Sequence, residues 1–154
     1  MLTEKEIAKI DLEVSHLPYK GAACIEALKI VQQERGWISD ESIHLIAEYL
    51  EISAEEVDSV ATFYNLIFRK PVGRHVILIC DSISCWVVGY ENILTALKNR
   101  LKINYGETTE DDRFTLLPIP CLGTCDRAPA MMIDNDLHRD LTEEKLDDIL
   151  NQYQ

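Results

Sequence analysis

Two pairs of cysteines carry the chemistry this sequence can do: Cys80-x4-Cys85 and Cys121-x3-Cys125, separated by residues 86–120. Paired thiolates bind soft metals or do redox work. A [2Fe–2S] cluster takes four of them, two on each iron. The pairing assigns Cys80 and Cys85 to one iron and Cys121 and Cys125 to the other. By formal charge, two ferric irons, two sulfides and four thiolates sum to about −2, and one electron makes it about −3. Such a group transfers single electrons and does no hydride chemistry. The four-residue gap of the first pair also matches the start of the plant-type spacing, although the rest of that pattern differs.

Other chemistries compete for the same thiols. Four cysteines could hold a structural zinc ion, but zinc sites more often use short C-x2-C knuckles. A redox dithiol prefers C-x2-C as well, and neither pair has it. A Rieske centre needs two histidine ligands, and His16, His44, His75 and His138 stand in no short spacing with a cysteine. For these histidines a surface or satisfied core position is the simpler expectation. Cys24, on an apolar helical stripe, reads as a small core residue. Trp37 reads as a core residue of the first segment. Trp86, beside Cys85, reads equally as a shield for the site or as plain packing.

The pairs can meet only if the chain brings both loops to one place. His75 to Cys80 is a continuous apolar run, the pattern of a strand buried on both faces. Tyr90, Ile93, Leu94, Leu97 and Leu101 trace a helical face within a helix expected from about Val88 to Leu101. Phe114 to Ile119 is a second strand, and Pro118 suggests that it frays or lies near an edge. If the two strands are parallel, both emerge at the same edge of the sheet, the usual ligand edge, and the two thiol-bearing loops face each other. Gly123 would then let backbone N–H groups approach sulfur. Cys85, expected just before the next helix, would gain from its free N–H groups. Ala130 to Ile133, a turn at Asp134-Asn135-Asp136, and Leu137-His138 read as a hairpin. Thr142 is placed to cap a last helix carrying Leu146, Ile149, Leu150 and Tyr153. The order βαβ then ββα is that of a thioredoxin-like domain.

Upstream the period is helical. Thr3 to Glu6 forms a capping box before Ile7, Ile10 and Val14. Cys24, Ala27, Leu28 and Val31 make a second stripe ending at Gly36, and Ile43, Ile46, Ala47 and Leu50 a third. Ser53 to Glu56 is another capping box, leading into Val57, Val60, Ala61 and Tyr64. Four helices with short connections imply a bundle. The segment from Arg69 to Arg74, basic and containing Pro71 and Gly73, marks a boundary. The expected organisation is therefore α+β: a four-helix domain over residues 1–70, followed by a thioredoxin-like βαβ-ββα domain over residues 71–154.

Composition limits the partners. The chain has 154 residues, 47% of them hydrophobic, and a formal net charge of −12. Such a surface repels nucleic acid and anionic membranes. The polar start Met1-Leu2-Thr3-Glu4-Lys5-Glu6 does not read as a secretory signal. The longest apolar stretch, Val76 to Cys80, is far short of the roughly 20 residues of a spanning helix. Five cysteines without such a signal suggest a reducing compartment, where thiols are kept for metal or redox chemistry.

The string Cys121-Leu122-Gly123-Thr124-Cys125-Asp126-Arg127-Ala128-Pro129-Ala130-Met131-Met132-Ile133, with Cys80-x4-Cys85 upstream, closely resembles the family of E subunits of bacterial NADH-quinone oxidoreductase (respiratory complex I), a family of thioredoxin-like [2Fe–2S] ferredoxins. Glu26 to Gln32, Gly36-Trp37, Val60 to Tyr64, Arg69 and Pro71 to His75 extend the likeness over nearly the whole chain. The resemblance implies that Cys80, Cys85, Cys121 and Cys125 are the cluster ligands and that the chain is an electron-transfer subunit of the respiratory chain. It implies docking on the subunit that binds FMN and oxidises NADH, among other peripheral-arm subunits, with FMN and NADH held there and not here. The cluster is implied to lie off the main route to quinone and to hold an electron from reduced flavin for a time. No NADH oxidation is expected of the chain alone. A cytoplasmic position follows, peripheral to the inner membrane through the complex and without direct insertion. Related NAD-linked hydrogenases and formate dehydrogenases share the module, so the cluster motif alone does not separate them; whole-chain similarity favours complex I. Gly21, where relatives often carry a basic residue, Trp86, where they often carry a polar one, and the prolines Pro118 and Pro120 depart from the family pattern without removing a ligand.

Overall fold

A computed structural model describes all residues, Met1 to Gln154. The chain divides into two compact units, Met1–Pro71 and Val72–Gln154. The first unit is helical: α1 (Glu4–Val14), a 3₁₀ turn (Lys20–Ala23), α2 (Cys24–Arg35), α3 (Asp40–Leu50) and α4 (Ala54–Phe63). Thr3 and Ser53 each close a reciprocal capping box, with Glu6 and Glu56 respectively, and Ser39 caps α3 through its hydroxyl. These bonds satisfy N–H groups that a helix start leaves unpaired. Gly36 ends α2 at φ 85°, a left-handed conformation that glycine adopts without penalty.

Helix α2 is the hub of this unit, touching α1, α3 and α4. Its buried Ala27, Leu28 and Val31 pack with Ile10, Ile38, Ile46, Leu50 and Val57 in one apolar core that includes Cys24. Each of the Leu, Ile and Val side chains among them contributes about 1.5–3 kcal/mol through removal from water. Ile38, fully buried, takes the core place expected of Trp37, which is only half-buried. Tyr64 likewise lies outside the core, as the exposed residue that ends α4. The segment after α4 folds back on its own unit. Gln32 clamps it with both ends of its amide, donating to the Leu66 carbonyl at 2.8 Å and accepting from the Phe68 N–H at 2.6 Å.

The second unit holds a four-stranded sheet in the order β2-β1-β3-β4, built from β1 (His75–Cys80), β2 (Phe114–Ile119), β3 (Met131–Ile133) and β4 (Asp136–His138). Strands β1 and β2 are parallel, whereas β3 pairs antiparallel with both β1 and β4. Every residue of β1 from Val76 onward is buried, as its unbroken apolar run requires. Pro118 sits in β2, an edge strand; Leu116, two residues earlier, sends its N–H away from β1 to the Glu107 carbonyl, so the missing N–H of Pro118 falls on the open side and the ladder with β1 loses no bond. Helices α5 (Ile83–Val87), α6 (Tyr90–Leu101) and α7 (Glu143–Leu150) complete the unit. Ile93 and Leu97 of α6 and Leu146 and Ile149 of α7 share a core with Ile77, Ile79, Phe114 and Met131. The hairpin is tighter than expected: Asp136 belongs to β4, and Asp134 turns the chain at φ 52°. Thr142 stands at the start of α7 without a side-chain capping bond, and Tyr153 lies beyond its end, though buried.

Candidate metal centre

The register between β1 and β2 fixes where the thiols stand. Cys80 closes β1 opposite Ile119, the last residue of β2, so both strands deliver a cysteine-bearing loop to the same edge. The Cys80 N–H donates to the Ala130 carbonyl at 3.1 Å, tying that end of β1 to the residue before β3. Cys85 does not stand in a loop directly before α6. It lies inside the short α5, whose third residue it is, and it is buried, 2% exposed. Cys121 and Cys125 lie on the loop after β2 and are exposed. All five cysteines are free thiols.

Within the second loop the sulfurs of Cys121 and Cys125 are 3.9 Å apart. Two thiolates on one tetrahedral ion, at the bond length of about 2.3 Å typical of zinc thiolates, would be about 3.8 Å apart. The loop therefore already spaces its pair as ligands of one metal. Gly123 makes this possible: at φ 73° it turns the chain so that its N–H donates to the Cys121 sulfur at 3.3 Å. Arg127 follows the second thiol and forms an ion pair with Asp140, whose own N–H donates to the Arg127 carbonyl at 2.8 Å. The peptide bond between Ala128 and Pro129 is cis.

The thiols act on one another across the two loops. Burial, then the hydrogen bond with the Cys80 thiol, pushes Cys85 up to about 11, and the charge of Cys125 adds to the rise. Cys121 is held below the ordinary thiol value, first by the Gly123 N–H, then by the Cys125 thiol, with the Ser82 hydroxyl and the Cys80 thiol also contributing. Of the sulfur pairs, Cys121 and Cys125 stand within hydrogen-bonding reach of each other. No trio of His, Cys, Asp or Glu side chains is gathered around a single point as a one-ion site. The donors are all sulfur and come as one pair per loop, which suits a binuclear cluster. A bound metal would need all four deprotonated, and its positive charge is what makes that favourable for a buried thiol such as Cys85.

Other residues with metal-binding chemistry stand elsewhere. His75 opens β1, at the far end from Cys80, and pairs with Asp134 at 2.7 Å; His138 pairs with the Tyr153 hydroxyl at 2.7 Å. Cys24 is buried among apolar side chains, and that burial pushes its thiol up to about 11. Trp86 is 53% exposed, so it is not packed into the protein. Sequence reasoning missed the Arg127–Asp140 staple and the Ala130 carbonyl, since both depend on where β3 and the segment before α7 fall in space.

A small mixed sheet that brings four thiols from two loops to one edge is the arrangement of an iron–sulfur electron carrier of the ferredoxin type. The chain belongs to the family of thioredoxin-like [2Fe–2S] ferredoxins, whose match spans residues 10–154. It is 53% identical over 152 residues to the E subunit of NADH-quinone oxidoreductase from Escherichia coli (strain K12), covering 99% of this chain and 92% of that protein. The protein of the same name from Buchnera aphidicola subsp. Acyrthosiphon pisum is 52% identical over 152 residues, with 99% of this chain and 94% of the relative covered. That from Pseudomonas aeruginosa is 49% identical over 153 residues, with 99% and 92% covered. Among solved structures, an NAD+-reducing [NiFe]-hydrogenase in the air-oxidized state superposes with a TM-score of 0.70 at 22% identity. That match covers 81% of this chain but spans only 22% of the hydrogenase chain, and it speaks for the fold alone.

Proposed function

We propose that Cys80 and Cys85 hold one iron and Cys121 and Cys125 the other iron of a single [2Fe–2S] cluster, in an electron-transfer subunit of NADH-quinone oxidoreductase. The observation that carries this is the parallel register of β1 and β2, which sets the two cysteine loops side by side. When bound, the cluster supplies one-electron chemistry. The protein's own part is to hold and shield it: Cys80 and Cys85 lie buried, and the Gly123 N–H stabilises charge on the Cys121 sulfur. Residues 71–154 act as the cluster domain and residues 1–70 as a separate helical domain that carries none of the four ligands.

Identity near 50% over almost the full length of these E subunits favours the respiratory complex over an NAD-linked hydrogenase or formate dehydrogenase. The electron partner is then the flavin of the NADH-oxidising subunit, with FMN and NADH bound there. No helix is long and apolar enough to cross a membrane, and attachment to the inner membrane from the cytoplasmic side runs through the other subunits. The test mixes the loaded chain with NADH, alone and with its flavin-carrying partner. Reduction of the cluster's visible absorption is expected only with the partner present. Bleaching of the chain alone by NADH, or no reduction in the complex by NADH when dithionite does reduce it, would overturn the assignment.

A further inference from the structure

Residues 127–130 lead from the second cysteine loop into β3, and their main chain is tied on two sides. On one side the Ala130 carbonyl accepts from the Cys80 N–H at 3.1 Å. On the other, the Arg127 and Pro129 carbonyls accept from the N–H groups of Asp140 at 2.8 Å and Leu141 at 3.1 Å. Leu141 is buried in the core of the second unit, so this second side is fixed to the body of the domain.

Asp140 takes hold of Arg127 twice. Besides its N–H on the Arg127 carbonyl, its carboxylate pairs with the Arg127 guanidinium across 13 residues of chain. Asp140 stands at φ 50° to do both, in the left-handed region that few residues other than glycine enter. The Lys145 ammonium donates to its carbonyl at 2.7 Å and secures it from the side of α7. Arg127 itself lies two residues beyond Cys125, and its N–H closes the turn on the Thr124 carbonyl at 3.0 Å. A grip on Arg127 therefore limits where Cys125 can move, and with it the 3.9 Å spacing of the Cys121 and Cys125 sulfurs.

We propose that Asp140 is a positioning residue of the candidate metal centre: its grip on Arg127 holds the second cysteine loop at ligand spacing and slows release of the iron bound there. The proposal rests on Cys121 and Cys125 being ligands, as argued above. Asp140 acts through Arg127 and binds no metal. Arg127 and Asp140 are 50% and 43% exposed, so water screens the pair and it adds little to the stability of the whole unit. Its effect falls on the loop, which can open locally while the rest of the unit stays folded. Groups that orient the ligands of a metal govern its retention in this way.

The test is release of iron from the cluster-loaded full chain to an excess of chelator, followed by bleaching of the visible absorption. Asp140→Asn gives up the charge while keeping the main-chain grip, at a residue type that also tolerates the left-handed backbone. Arg127→Gln gives up the charge from the other side. Each is expected to keep the iron and sulfide content and the urea midpoint of the parent, yet to release iron about three- to tenfold faster. The double variant is expected to be no faster than the quicker single, because both changes remove one interaction. The paramagnetic resonance lines of the reduced cluster are expected to broaden in each variant, from a wider spread of sulfur positions. Release within about twofold of the parent in either single variant, unbroadened lines, or effects that add in the double variant overturn the proposal. A fall in the urea midpoint large enough to account for the faster release overturns it too. A parent chain that binds no iron would refute the ligand assignment itself, and this inference with it.

Discussion

Replacing Glu6 by glutamine removes one charge from a side chain that is 1% exposed, and nearly preserves its shape. Glu6 accepts from Arg35 Nε at 2.7 Å and Nη2 at 2.9 Å, and from the Thr3 N–H at 2.7 Å. Arg35 foremost, with Thr3 assisting against the opposing effect of burial, holds this carboxyl down from 4.5 to about 2. At about 1.4 kcal/mol per pH unit, that drop corresponds to about 3 kcal/mol of stability near neutral pH. The orphaned Arg35 is 27% exposed, so water recovers part of the loss, and it keeps weaker contacts with Ser42 and the Met1 carbonyl. Glutamine can still accept from Thr3, which leaves a net cost of about 2–3 kcal/mol. The folded pKa lies below the unfolded one. The stabilisation is therefore fully present above pH 4.5 and drains away as pH falls toward about 2. Urea unfolding followed by far-ultraviolet circular dichroism, on parent and Glu6→Gln at about pH 7 and about pH 3, reads the difference directly. The gap should shrink by more than half at the lower pH, and at about pH 7 the cluster's absorption per folded chain should match that of the parent. A cost below about 0.5 kcal/mol at neutral pH, or an equal cost at both values, would refute the assignment of Glu6 as a charged anchor.

Three further outcomes are expected. Gly123→Ala meets no steric obstacle but must hold a side chain at φ 73°; a backbone cost of about 1–2 kcal/mol should quicken loss of iron to a chelator while the fold persists. Leu146→Ala empties a fully buried place in the second unit's core and should cost about 2–5 kcal/mol in urea unfolding. Arg113 donates to the carbonyls of Leu150 at 2.7 Å and Tyr153 at 2.6 Å; Arg113→Ala should raise amide hydrogen exchange in the last turn of α7 at least about tenfold, leaving the visible spectrum alone.

Much of the fold is legible in the sequence because its signals are local. The pairs Thr3/Glu6 and Ser53/Glu56 need only a three-residue spacing to specify a helix start, and both boxes form. The apolar run of β1 and the stripe of α6 announce their periods in the same way. Helix α5 escaped because five residues hold too little of a 3.6-residue period to read. Its presence moves Cys85 from a loop into a helix. Trp37 and Ile38 are adjacent, and composition cannot say which of the two turns inward. Arg69, read as part of a basic linker, is spent within its own unit on Asp40, Asp58 and the Ile38 carbonyl. At the candidate site the two cysteine pairs are legible from spacing, but the backbone ties around them, the Cys80 N–H to the Ala130 carbonyl and the Asp140 N–H to the Arg127 carbonyl, are not. Those depend on strand order, which a single sequence does not encode locally.

Paramagnetic resonance of the dithionite-reduced, isolated chain bears most directly on the central claim. A single [2Fe–2S] signal is expected, from protein carrying about two irons and two sulfides, and lost on serine substitution at Cys80, Cys85, Cys121 or Cys125. Colourless protein with one zinc ion, silent before and after reduction, would contradict it.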